Sequence, residues 1–381
     1  MSEQLTHPLN DTVRRIFVAA TRMNHGKTTT CLGLYATLRE RLGNIGFIKP
    51  VGQRFVRIND HLVDEDSVLL DSIYDLQTPL ETMSPVTIDR TFSRRYLEDP
   101  DRLHPQLVDK VCRSFDLASE NKEFTLIEGT GHAGVGSVFD LSNAKTAHIL
   151  RSNVVLVAEG GIGKSIDEIA LNQALFRQFG IPIVGVILNK VRTDKVEMVR
   201  EFSRIALKRM GIPLLGVMPE ETILASPSLD QIVEETASRW INGEEWARNN
   251  RIRRVVIGAM SAQSLLNNLG EGILVITAGD QEDILLAAIA KAQMDGRGSL
   301  AGIIMTRAIE PGKRILELLR KTQIPVAITD KGSYLVTSLI HNMSVKTRPE
   351  DDDKIPLIQK MIQEHINIDT LLDHCRPLPL T

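Results

Sequence analysis

Apolar residues in this chain fall into short continuous runs, separated by stretches in which apolar positions recur at helical spacing. Ile16 to Ala20 forms the first run, bounded by Arg14 and Arg15, and Thr28 to Leu42 follows with the periodicity of a helix. Further runs lie at Ile45–Ile48, Phe124–Ile127, Val154–Ala158, Ile183–Leu188 and Pro213–Glu220. Strand and helix thus alternate six times over about 220 residues, which predicts an α/β fold with a doubly wound parallel sheet.

Around Ser238 to Asn250 the pattern changes to a polar, charged passage holding Trp240, Asn242-Gly243-Glu244-Glu245 and the arginines that begin at Arg248. It predicts a boundary: residues 1–237 as one domain, 238–253 as a linker, and 254–381 as a smaller α/β domain. Within the latter, Val255–Gly258, Gly272–Ile276, Gly302–Met305 and Pro325–Ile328 read as strands. Ile284–Ala292 and Arg314–Leu319 read as helices between them. Gly279 to Asp283 reads as a helix cap with a charged first turn, or as part of a ligand site. The acidic run Glu350–Asp353 reads as a solvated loop.

Composition narrows the function classes. A chain of 381 residues exceeds what one core usually serves, and aromatics at 4% with abundant aliphatics suit a helix-covered parallel sheet. A net charge of −3 gives no electrostatic case for nucleic acid or an anionic membrane. No apolar run is long enough to span a bilayer, and the polar stretch Met1 to Thr12 lacks a signal-peptide core. Cys31, Cys112 and Cys375 are scattered without metal-type spacing; their odd number predicts a reducing, cytoplasmic setting and plain packing roles.

The candidate chemistry begins at Thr21-Arg22-Met23-Asn24-His25-Gly26-Lys27-Thr28-Thr29, between the first strand and the first helix. Backbone N–H groups at such a turn cradle phosphate oxygens, Gly26 admits the close approach, Lys27 reaches terminal phosphates, and the Thr28 hydroxyl can join Mg²⁺. Thr21 stands where a P-loop usually has its first glycine, so the alternative is a helix start that binds nothing. Lys49 follows the second strand, ahead of Pro50, and faces phosphate, an anionic substrate or solvent. Asp64-Glu65-Asp66-Ser67 either caps a helix or supplies a metal ligand. Glu128 ends the Phe124 strand, the place for a metal-orienting carboxylate. Arg90, Arg94, Arg95 and Arg102 mark a charged insertion that binds an anionic substrate or is simply solvated. A second Gly163-Lys164-Ser165 follows the Val154 strand as a rival but short phosphate loop, and Asn189 ends the Ile183 strand, where it can pair with adenine or serve as a turn residue.

Taken together, Ala20 to Thr28, Lys49-Pro50-Val51, Glu128-Gly129 and Gly185 to Lys190 resemble the dethiobiotin-synthetase-like branch of P-loop proteins, in which a threonine replaces the first glycine. The order of motifs more closely resembles the N-terminal portion of long-form phosphate acetyltransferases, where such a domain precedes a DRTGG domain, here Val255 to Leu372. The acetyltransferase catalytic domain that would follow is absent from the 381 residues. The resemblance implies ATP and Mg²⁺ as cofactors, with Lys27 and Lys49 as catalytic residues at the phosphates and substrate. It implies Thr21, Arg22, Asn24, His25, Gly26, Lys27, Thr28 and Thr29 around the nucleotide, Thr28, Asp66 and Glu128 around Mg²⁺, and Asn189 near adenine. Arg22 and Gln53 depart from the synthetase on its substrate side.

Two function classes follow. One is a Mg-ATP-binding regulatory or sensory module, expected as a homodimer, with a protein or small-metabolite partner at the second domain. The other is an ATP-dependent synthetase that activates a carboxylate or carbamate by phosphoryl transfer. The first is preferred because the phosphate side of the pattern is kept while the substrate side is altered. A glutamine-dependent amidase like cobyrinate a,c-diamide synthase fits less well, since none of the three cysteines has a nucleophile's setting.

Overall fold

The apolar runs become strands buried on both faces. The computed structural model describes residues 9–248, 250–296 and 299–379, so residues 1–8 of the polar N-terminal stretch lie outside the described residues. The first strands are β1 (Arg14–Ala20), β2 (Ile45–Ile48), β3 (Val51–Gly52), β4 (Phe55–Ile58), β5 (His61–Asp64) and β6 (Val86–Thr87). They are followed by β7 (Phe124–Glu128), β8 (Val154–Glu159), β9 (Ile183–Val191) and β10 (Leu214–Pro219). Six of them form one parallel sheet in the order β10-β9-β8-β1-β7-β2. These are the six runs read from the sequence. Their continuous character reflects helices on both sides; Ile16, Val18, Leu126 and Leu156 are fully buried.

Strand order reverses at β1, whose neighbours are β7 and β8. The loop leaving the carboxyl end of β1 therefore opens at the switch point of the sheet, where ligand crevices form in open α/β folds. Helix α1 (Lys27–Leu42) leads from it to β2. A small antiparallel hairpin, β4 with β5, then delivers the chain to helix α2 (Glu65–Tyr74).

The chain divides into two compact units, 1–220 with 352–381, and 221–351. This corrects the expected boundaries. The C-terminal segment belongs to the first unit, because Gly33 on α1 lets the helix Lys354–His365 lie directly against it. Beyond that helix, Asn367 N donates to Leu215 O and Arg15 N to Cys375 O, so the tail runs along the same sheet.

The second unit holds β11 (Arg239–Asn242), β12 (Arg254–Ile257), β13 (Ile273–Ala278), β14 (Gly302–Thr306) and β15 (Val326–Ile328), in the order β11-β15-β14-β13-β12. Only β11 is antiparallel, and it occupies the passage expected to be linker. The helices Glu282–Asp295 and Lys313–Arg320 cover the expected spans. The acidic run is not a solvated loop throughout: Asp351 is buried and pairs with Arg251 at 2.7 Å. No helix among the described residues is long and apolar enough to cross a membrane.

Candidate functional site at the β1–α1 loop

The loop from Thr21 to Gly26 ends in a left-handed turn, with Gly26 at φ 93°, and α1 starts without a side-chain cap or an acidic residue in its first turn. A helix start of that kind leaves N–H groups and the positive end of the dipole for an anion. Lys27 is the first helical residue and is half-buried. Burial lowers its pKa from the usual value; Glu128 opposes the fall and Lys49 adds to it. Thr28 and Thr29 stand beside it, partly exposed.

The sheet braces the loop from β9. Asn189 is buried, donates from Nδ2 to the His25 carbonyl at 3.1 Å and accepts at Oδ1 from Lys190 N at 2.8 Å. Lys190 Nζ donates to the Asn24 carbonyl at 2.8 Å. Asn189, expected near adenine, thus has its amide committed to the loop itself.

The opposite side is held by the helix Lys164–Gln178. Its Glu168 is buried, accepts from Thr21 Oγ1 at 3.2 Å and pairs with Arg22 Nε at 2.8 Å. Asn172, one turn on, donates to the Thr21 carbonyl at 3.3 Å. His25 meets Thr21 Oγ1 through Nδ1 at 2.9 Å, and burial keeps its pKa below the usual value against the pull of Glu159 and Glu168. The second Gly-Lys-Ser serves as this support: Ser165 Oγ donates to the Glu159 carbonyl at 2.6 Å, and Lys164 is exposed. Glu168 and Asn172 are site residues that the motif search missed. Their signal was two polar residues at i, i+4 on the face that also carries Ile169 and Phe176.

Beneath Lys27 lies a buried charge cluster. Lys49 Nζ contacts Asp64 Oδ1 at 2.9 Å, Asp66 Oδ2 at hydrogen-bond distance and Glu128 Oε1 at 3.7 Å. Burial pulls the Lys49 pKa down, but Asp66, Glu128 and Asp64 outweigh it and hold it well above the usual value. Burial also pushes Asp64 up, against the pull of Lys49, and lifts Glu128 to about 7. Asp64 caps α2 by accepting from Asp66 N at 3.0 Å, so the acidic stretch both caps and joins the cluster. Thr28 Oγ1 donates to Glu128 Oε1 at 3.1 Å, which brings two of the expected metal residues together; Asp66 reaches them through Lys49.

Two carboxylate oxygens in this cluster, Asp64 Oδ2 and Glu128 Oε2, are buried without a hydrogen-bond partner. The orphaned Glu128 oxygen, on the carboxylate that meets the Thr28 hydroxyl, suits a hard divalent cation, whereas Asp64 Oδ2 faces Gly52. Among the described residues no group of three or more His, Cys, Asp or Glu forms a self-sufficient metal cage. The arginine-bearing insertion stays apart from the loop's contacts: Arg90, Arg94 and Arg95 are exposed, and Arg102 pairs with Asp99 at 2.6 Å.

Residues 14–228 match the family described as AAA domain, and residues 231–343 match the DRTGG domain. The phosphate acetyltransferase of Nitrosomonas europaea is 26% identical over 94% of this chain and 51% of its own length. That of Pseudomonas aeruginosa is 27% identical over 94% and 52%. The chain spans about half the length of the curated relatives it matches, as an N-terminal region would. Similar solved structures include the septum site-determining protein MinD complexed with Mg-ADP from Pyrococcus horikoshii OT3, at 19% identity, TM-score 0.33 and coverage of 56% of this chain and 84% of that one. The CBS and DRTGG domains of the regulatory region of Clostridium perfringens pyrophosphatase match at 25% identity and TM-score 0.27, covering 42% and 69%.

Proposed function

Because the chain belongs to the AAA domain family over residues 14–228, we propose that its first unit binds Mg-ATP at the β1–α1 loop and that the protein is a regulatory or sensory module. The observation that carries this reading is the uncapped start of α1, with Gly26 left-handed and Lys27 and Thr28 at its first two positions. Loop N–H groups and Lys27 bind the phosphates. Thr28 and Glu128, with Asp66 nearby, would hold Mg²⁺, which would neutralise charge on the phosphate chain.

Regulation is favoured over synthesis by Lys49. A lysine that activates a carboxylate needs an exposed ammonium near the substrate, whereas Lys49 is buried and already meets three carboxylates. The second unit, matched to the DRTGG domain, is the proposed place for a small-metabolite or protein partner, and the assembly is proposed to be a homodimer. Light scattering with and without nucleotide tests the last point, and a monomeric mass in both would sink it.

The test of function is ATP binding by calorimetry together with turnover in Mg²⁺, with Lys27→Ala as control. Tight binding with negligible turnover is expected, and the binding is expected to be lost in Lys27→Ala. Steady turnover that Lys27→Ala abolishes would instead support an ATP-dependent synthetase. Equal affinity in wild type and variant would remove the nucleotide-site reading.

A further inference from the structure

Asp64 is the cluster member that no nucleotide role accounts for. It ends the β4–β5 hairpin, is 1% exposed, and its Oδ1 does two jobs: it accepts from Asp66 N at 3.0 Å and meets Lys49 Nζ at 2.9 Å. Its Oδ2 is buried and unpartnered, against Gly52, where an added Cβ would lie 2.6 Å from it. The carboxylate is thus confined by the cap and by β3, and its backbone is held by the bond from Asp64 N to Ser84 Oγ at 3.0 Å.

An ammonium has three hydrogens, and on Lys49 they face three carboxylates. Asp66 and Glu128 have cation partners to gain when Mg²⁺ arrives; Asp64, placed on the hairpin side, does not. We propose that Asp64 is a positioning residue that latches Lys49 among the carboxylates and away from phosphate, so that Mg²⁺ is required to neutralise the cluster before nucleotide binds well. The proposal rests on the nucleotide site argued above. It makes the Mg²⁺ dependence of binding a property of one side chain, the residue that caps α2. Removing the latch leaves Lys49 held by two acids instead of three and frees it to turn toward the phosphates.

The test measures ATP affinity of the full chain by calorimetry, with Mg²⁺ and in EDTA, for wild type, Asp64→Asn, Lys49→Met and Lys49→Met/Asp64→Asn. Asparagine also caps helices, so α2 is kept; should Asp64→Asn fail to fold, Asp64→Ser, another capping residue too short to reach Lys49, replaces it. The expected result is metal-free affinity about tenfold higher in Asp64→Asn, because Lys49, no longer held by Asp64, can turn its charge toward the phosphates, and a smaller enhancement by Mg²⁺. In the Lys49→Met background the gain disappears. A merely structural role for Asp64 would weaken binding in both conditions, and that result, or a gain that persists without Lys49, overturns the latch. Absence of ATP binding in wild type would overturn the nucleotide site itself, a distinct failure.

Discussion

A Cβ placed on Gly26 would lie 2.0 Å from Nδ2 of Asn189, the amide that holds the loop through the His25 carbonyl. Gly26 also sits at φ 93°, a conformation that costs an L-residue on the order of 1–2 kcal/mol. Gly26→Ala is therefore expected to lose about 2–4 kcal/mol from strain and clash combined, and to weaken ATP binding more than tenfold. In an Asn189→Ala background the clash is removed but the strain stays, so the same substitution should cost about half as much. Thermal unfolding and calorimetry on the four proteins check this; an additive cycle would show that the two residues do not meet.

A second close approach lies at Gly33, where a Cβ would sit 2.3 Å from Ile362 Cγ1 and 2.9 Å from the Ile358 carbonyl. Alanine is the better helix former by about 1 kcal/mol, yet overpacking against a backbone carbonyl costs about 1–3 kcal/mol. Packing should win. Gly33→Ala is expected to lower the urea midpoint and to make the segment 352–379 more sensitive to protease, whereas a rise in stability would mean that the C-terminal helix yields freely.

These contacts show what the sequence could and could not disclose. The six strands of the main sheet were legible because burial on both faces writes them as unbroken apolar runs, as at Phe124 to Ile127. The loop was legible because Gly-Lys-Thr at a strand–helix turn is a local pattern. The return of residues 352–381 was not, because an amphipathic helix states that it has a partner and not which one. β11 was missed since a four-residue edge strand needs few apolar positions. At the site, Asp64 and Asp66 are the same residue type two apart; only the fold assigns the cap to one, while both meet Lys49.

All three cysteines are buried, and none forms a disulfide. Burial raises the Cys31 thiol well above its usual value and the Cys375 thiol to about 12, and Cys375 Sγ donates to the Leu371 carbonyl at 3.1 Å. Since the thiolate is the reactive form, the native protein should give no rapid reaction with a disulfide reagent at pH 8, and three equivalents once unfolded. A fast-reacting thiol in the native state would contradict the packing of the tail, of α1 or of the helix Pro100–Ala118 that buries Cys112.

The charge cluster makes stability depend on pH in a definite direction. Burial is the main cause that lifts Glu128 from an ordinary 4.5 to about 7, so the folded state holds a proton that the unfolded chain releases earlier. The stabilisation from that proton is complete below about 4.5 and is lost as pH rises through about 7. Stability should thus fall between pH 5 and 8 by on the order of a few kcal/mol from this group. Glu128→Gln is neutral at every pH and keeps an oxygen that can accept from Thr28 and Lys49. It is expected to match wild type near pH 5, exceed it at pH 8 and show a shallower slope in urea unfolding. Mg²⁺ with ATP, drawn to the ionised cluster, should raise the wild-type midpoint more at pH 8 than at pH 5, and this difference should shrink in the variant. A wild-type stability that rises steadily from pH 5 to 8, with no gain from Glu128→Gln, would mean that Lys49 and Lys27 already keep Glu128 ionised in the fold.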